Sequence, residues 1–147
     1  MRPPSALPRG TRVGLDTSLF IYFLQDHPRF GEWCATLFTR IEQRHLEAVT
    51  STISLLEVLV QPYRDRDDEL AQKMYALLAT YPGIEWIPVT IEVADRAADL
   101  RARYNLKTPD AIQVATALSQ HASLFLASDK AFKRVKEIEC VILEVTA

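Results

Sequence analysis

The stretch RVGLDTSLFIYFL, residues Arg12 to Leu24, changes character at its single acid, Asp16. Before it, "RVGL" reads as a short buried strand. After it, "SLFIYFL" reads as a helix. The same alternation recurs along the chain. Phe30, Cys34, Leu37 and Ile41 fall at helical spacing, and "EAVTS" (47–51) supplies a second strand. "TISLLEVLV" (52–60) follows as a helix that is apolar almost all round, so it is expected to be buried. Leu70, Met74, Leu77, Leu78 and Tyr81 form the next stripe, ended by "YPG". "IEWIPV" (84–89) is a third strand. Val93, Ala97, Leu100 and Tyr104 mark one further helix, and Ala111, Val114, Ala115 and Leu118 another. "SLFLAS" (123–128) and "CVILEV" (140–145) are the last strands, with a short helix "KAFKRV" between them. Strands interleaved with helices predict an α/β domain, a largely parallel five-stranded sheet with helices on both faces.

Composition narrows the function classes. The 147 residues suffice for one core, and residues 12–147 are expected to form a single domain. "MRPPSALPRG" carries three prolines and a glycine, so residues 1–11 are expected to be a flexible lead-in. It has no apolar core of the kind a secretory signal needs, and no apolar run approaches the ~20 residues that span a bilayer. A cytoplasmic protein without a membrane partner is the expectation. Cys34 and Cys140 make no metal-binding pair, and His27, His45 and His121 are scattered, which leaves little support for zinc or for a Ser/His or Cys/His nucleophile. The net charge of −2 means that any nucleic-acid binding must use a local basic patch.

The acids point further. Ligands of open parallel sheets bind beyond the carboxyl ends of the strands. Asp16 follows the first strand and Asp129 the fourth. Asp110 opens the helix that leads into the fourth strand, and Glu57 sits on the helix after the second. Each has a plain local reading. Asp16 and Asp129 could cap helices, and Asp110, behind a possible Thr108 cap and Pro109, could serve a helix dipole. Glu57 resists that treatment, because it shares a face with Ile53, Leu56 and Val60 and a carboxylate there needs a partner. Gathered at one rim, four carboxylates repel unless a cation intervenes, and all-oxygen ligands favour Mg²⁺ or Mn²⁺. Such an ion suits phosphoryl chemistry.

"GLDTSLFIYFL", "TSTISLLEVLVQP", "LKTPDAIQVATAL" and "LFLASDKAFKRV" together resemble the PIN-domain ribonucleases, most closely the VapC-type toxins of toxin–antitoxin pairs, from about Arg12 to Val145. The resemblance implies a PIN-like three-layer fold and Mg²⁺-dependent hydrolysis of RNA, with Mn²⁺ able to substitute, leaving a 5′-phosphate and a 3′-hydroxyl. It aligns Asp16, Glu57, Asp110 and Asp129 with the family's acids. Asp16, Asp110 and Asp129 would hold metal, with Glu57 acting directly or through water, and Thr17, Ser18 and Ser128 in support. It also implies a cognate antitoxin over the acidic groove and a homodimer. The Thr-Asn that similar proteins carry before the last acid is Ala127-Ser128 here, which suggests a looser shell around Asp129.

Lys130, Lys133, Arg134 and Lys136 after Asp129, with Arg64 and Arg66 after the Glu57 helix, are candidates for RNA phosphates; singly, each reads as a solvated surface charge. Tyr22, Phe23 and Trp33 could stack on bases, although helix-spaced aromatics more often serve a core. Four other readings compete. They are a non-toxin PIN nuclease of RNA processing, a catalytically silent PIN-like scaffold, and a haloacid-dehalogenase-type phosphatase or receiver domain using Asp16. The dehalogenase pattern wants a second Asp where Ser18 stands, and "VGLD" lacks the acidic pair of a receiver.

Overall fold

A computed structural model describes residues 2–143 of the chain. The five strands are β1 (Arg12–Leu15), β2 (Glu47–Ser51), β3 (Ile84–Ile87), β4 (Leu124–Ala127) and β5 (Glu139–Ile142). All neighbouring pairs are parallel, in the order β3-β2-β1-β4-β5. The end of the expected "CVILEV" strand, from residue 144, lies outside the described residues. Six α-helices connect and cover the strands: α1 (Thr17–Leu24), α2 (Gly31–Glu42), α3 (Thr52–Arg64), α4 (Asp68–Ala79), α5 (Ile91–Tyr104) and α6 (Thr108–Ser119). "KAFKR" is a 3-10 helix, Lys130–Arg134.

Three layers follow from the two-residue period of the strands. Val13, Leu15, Leu124 and Leu126 point into one core, with Leu19, Phe20, Leu37 and Phe38 of α1 and α2. Phe125 and Ala127 point the other way, into a second core with Val93, Leu100 and Val114 of α5 and α6. Gly14 lies on that second face, where the helix presses closely. A Cβ on Gly14 would stand 2.6 Å from Cβ of Ala117. The missing side chain therefore sets how deeply α6 seats against the sheet.

Two expectations need correction. The N-terminal segment is not a loose lead-in over its described part. Leu7 is 3% exposed and Pro4 is buried in a 3-10 turn, Pro4–Ala6. Arg40 of α2 donates to the carbonyls of Pro4 and Leu7 at 2.7 and 2.6 Å, and the Trp33 indole donates to Arg2 O at 3.0 Å. The prolines made a short turn there rather than a floppy arm. Secondly, α3 is not buried all round. Leu56 is 60% and Tyr63 55% exposed, so the face expected to surround Glu57 with apolar neighbours meets solvent. Apolarity on every side of a helix does not distinguish a buried core from a surface awaiting a partner.

The aromatic residues take the plain reading. Phe23 stacks on Phe38 at 4.4 Å, Tyr22 packs on His27 at 4.5 Å, and all with Trp33 flank the first core. Cys34 is buried, Cys140 partly so, and both are free thiols.

Candidate functional site

β1 delivers Asp16 to the carboxyl end of the sheet. Its backbone N–H continues the ladder to Leu126 O at 3.0 Å, which ties the residue to β4. Asp16 occupies the N-cap position of α1, yet its side chain caps nothing. Instead, Ser18 Oγ donates to Oδ2 at 2.7 Å. The carboxylate is 7% exposed, a costly place for a charge. Burial, opposed by the Ser18 hydrogen bond and assisted by the charges of Asp110 and Glu57, pushes its pKa from 3.8 up to about 6.

Asp110 lies in the first turn of α6, half-buried. The helix starts one residue earlier than expected: Lys107, not Thr108, is at the cap position, and no side chain caps it. Asp110 is held above the ordinary carboxylate range, first by burial, then by Asp129 and Glu57, with Lys107 pulling the other way. Asp110 thus feels both remaining acids, and Asp16 feels Asp110 and Glu57. The topology gathers all four around Asp110.

Glu57 reaches the site from α3. Its Oε1 accepts from the Thr17 hydroxyl at 2.7 Å and from Gln113 Nε2 at 3.0 Å. No arginine pairs with it; its partners are a hydroxyl and an amide. Ser54, one turn before Glu57, lies 3.1 Å from Thr17 Oγ1 and 3.2 Å from Thr50 Oγ1. Ser54 and not Leu56 is the neighbour that matters, because Glu57 turns inward and Leu56 outward. Thr17 was expected on the strength of the motif. Gln113, Ser54 and Thr50 were not; Gln113 is one turn beyond Asp110, and that spacing is the one sequence signal pointing to it.

Asp129 is different. It is exposed, and its Oδ1 accepts from the Ala131 N–H at 2.8 Å as the cap of the 3-10 helix. The local reading therefore describes one of its oxygens. Ser128 is half-buried between β4 and Asp129.

The donor set is oxygen throughout and strained by like charge, which fits a hard divalent cation. Among the described residues, no three carboxylate, imidazole or thiol groups are arranged to hold an ion as they stand. Glu57 Oε1 and Asp129 Oδ1 accept hydrogen bonds, which leaves the second oxygen of each carboxylate to face an ion.

The basic candidates divide. Lys130 and Lys133 are exposed beside Asp129. Arg134 instead donates to the carbonyls of Tyr104 and Asn105 at 3.3 and 3.4 Å, bracing the turn before α6. Arg64 is exposed two turns beyond Glu57 on α3, and Arg66 follows in a left-handed turn (φ 54°). Lys107, unmarked in the sequence, is the cation that acts on Asp110. Glu57 also borders a cavity of ≈ 350 Å³, largely apolar (Ile21, Leu24, Val58, Pro62, Leu70 and Met74) but edged by Gln25, Gln61 and Asp65.

The chain is similar to known proteins in sequence family and in fold. The family model described as PIN domain matches residues 13–138. The structure of a toxin–antitoxin complex from Klebsiella pneumoniae is similar at 25% identity and a TM-score of 0.61, covering 84% of this chain and 90% of that one. VapBC2 from Rickettsia felis, bound to a fragment of promoter DNA, is similar at 16% identity and a TM-score of 0.71, covering 90% and 98%. VapC20 from Mycobacterium tuberculosis, a sarcin–ricin loop cleaving toxin, is similar at 17% identity and a TM-score of 0.66, covering 84% and 93%. The last two are likenesses of fold. No curated protein sequence matches the chain.

Proposed function

The chain belongs to the PIN domain family, and on that footing we propose that it is a divalent-metal-dependent endoribonuclease, the toxin of a toxin–antitoxin pair. One observation carries the reading: a nearly buried carboxylate, Asp16, held among Asp110 and Glu57 at the carboxyl end of a parallel sheet. A fold retains such an electrostatic cost where a cation relieves it. Asp16, Asp110 and Asp129 would hold Mg²⁺ or Mn²⁺, with Glu57 completing the surroundings directly or through a water. A cation bound there supplies charge neutralisation at the phosphate and a more acidic water. The chain's own part is position. Ser18 fixes one oxygen of Asp16, and Thr17 fixes one of Glu57. Lys107, Lys130 and Lys133 would meet the phosphates flanking the scissile bond, leaving a 5′-phosphate and a 3′-hydroxyl.

The partners belong to the same reading. The Klebsiella pneumoniae neighbour is a toxin–antitoxin complex. The largely apolar cavity beside Glu57 suits an antitoxin segment, and a homodimer would cover exposed apolar groups elsewhere, such as Leu56 and Tyr63 on the opposite face of α3 and Tyr75 on α4.

Calorimetry with Mn²⁺ and cleavage of a short single-stranded RNA test the proposal together. Wild type should bind and cleave. Asp16→Asn and Asp110→Asn should bind weakly and cleave at least ~10³-fold more slowly while folding normally, because a lost ligand removes several kcal/mol of transition-state stabilisation. Wild-type behaviour in both variants would remove the reading.

A further inference from the structure

Gln113 is 2% exposed, on the inner face of α6, and its amide is the point where three elements meet. Nε2 lies 2.6 Å from Thr17 Oγ1 of α1, and 3.2 Å from Ser54 Oγ and 3.0 Å from Glu57 Oε1 of α3. The other end of the same amide, Oε1, is buried with no hydrogen-bond partner, alone among the described buried side-chain polar atoms in this respect. A carbonyl left so is unfavourable. Turning the amide over would offer that carbonyl to the Thr17 and Ser54 hydroxyls but would set it against the Glu57 carboxylate, which only accepts. The orientation that leaves Oε1 orphaned is thus the one that gives Glu57 a donor.

Leu or Met would fill the same space without the orphan but would donate nothing to Thr17, Ser54 or Glu57. The Thr17 hydroxyl has one proton, and it goes to Glu57; the amide proton of Gln113 goes to Thr17 in turn. Glu57 Oε1 therefore receives two donors from two different helices, and its position is tied to that of α6, which carries Asp110 one turn away. We propose that Gln113 is a positioning residue for the acidic site: it holds Glu57 Oε1 and the Thr17 hydroxyl in place, so that the carboxylate keeps a fixed relation to Asp110. This rests on the nuclease reading for what the site does. Partners of this kind around a metal site are typically worth about 10- to 100-fold in metal affinity or activity.

The test is a four-protein cycle of wild type, Gln113→Met, Glu57→Gln and the double variant. Mn²⁺ affinity is read by electron paramagnetic resonance and RNA cleavage by kcat/KM, with Gln113→Leu made in parallel should the Met variant fold poorly. Gln113→Met is expected to lower both readouts about 10- to 100-fold. In the Glu57→Gln background the same substitution should change neither, since the carboxylate it positions is gone. A packing role predicts losses that multiply in the two backgrounds. Multiplying losses, or a Gln113→Met protein equal to wild type, would overturn the proposal while leaving the nuclease standing. A wild-type chain that neither binds Mn²⁺ nor cleaves overturns the nuclease reading itself, and this inference with it.

Discussion

Asp16 keeps its proton at a pH where the unfolded chain has already released it. Its folded pKa of about 6 lies above the ordinary 3.8, so between those values the native state binds more protons than the unfolded one. Stability from this group is therefore present below pH 3.8 and lost as pH rises through about 6. The shift corresponds to about 3 kcal/mol at most above that window. Asp16→Asn should consequently melt higher than wild type at pH 7.5 in EDTA, with the gap closing toward pH 4 in thermal scans. Added Mn²⁺ should raise the melting temperature of wild type and not of the variant. Asp129 stands at the other extreme, exposed and used as a helix cap that Asn also makes. Among the four acids, Asp129→Asn should retain the most cleavage, and finding it the most damaging would reverse the ranking. Asp16, Asp110 and Asp129 stood out in the sequence because each sits where a strand ends or a helix begins, and Glu57 because a carboxylate on an apolar helix needs a partner. Gln113, Ser54 and Thr50 did not, because a polar residue inside a helical or strand pattern shows its purpose only when the partner from another element is in place.

Elements were readable where period and punctuation agreed. All five strands and six helices stand where the alternation put them, since short apolar runs between turn signals have few alternatives in an α/β chain. What failed was the surroundings of α3, for which the apolar count was right and the inferred burial wrong. The seating of α6 was equally unreadable, because it depends on an absent side chain. A Cβ at Gly14 would also come within 3.0 Å of Phe125 Cδ2, so neither neighbour yields freely. Gly14→Ala should destabilise the protein by about 1–3 kcal/mol through overpacking. Because α6 must then lift, Asp110 and Gln113 move with it, and cleavage measured below the melting transition should fall by more than the unfolded fraction explains. Unchanged kcat/KM in a folded Gly14→Ala protein would show that the helix accommodates the methyl without moving the site.

At the level of the molecule, an acidic chain with an exposed apolar α3 face is poorly described as a finished object. Expression alone is expected to arrest growth, and co-expression with the adjacent reading frame to restore it. Asp110→Asn expressed alone should be harmless. A wild-type chain that cleaves RNA in vitro yet is tolerated in cells would point to housekeeping RNA processing instead. The partner was implied by the resemblance, but the surface it would cover had no signature of its own in the sequence, since half of an interface obeys the same local rules as a core.

The sheet order also governs when the acidic rim can assemble as the chain is made. β1 is central, but its two neighbours are made far apart in time: β2 directly, and β4 only when residues 124–127 emerge, since Val13 pairs with Leu124. Until then β1 has an open edge, the Asp16 amide lacks its Leu126 acceptor, and Asp129 does not exist. A nascent chain thus lacks the complete acidic rim until β4 has been made. The order in which the strands are made therefore sets the order in which the acids of this rim come together: Asp16 and Glu57 first, Asp110 and Asp129 only with α6 and β4.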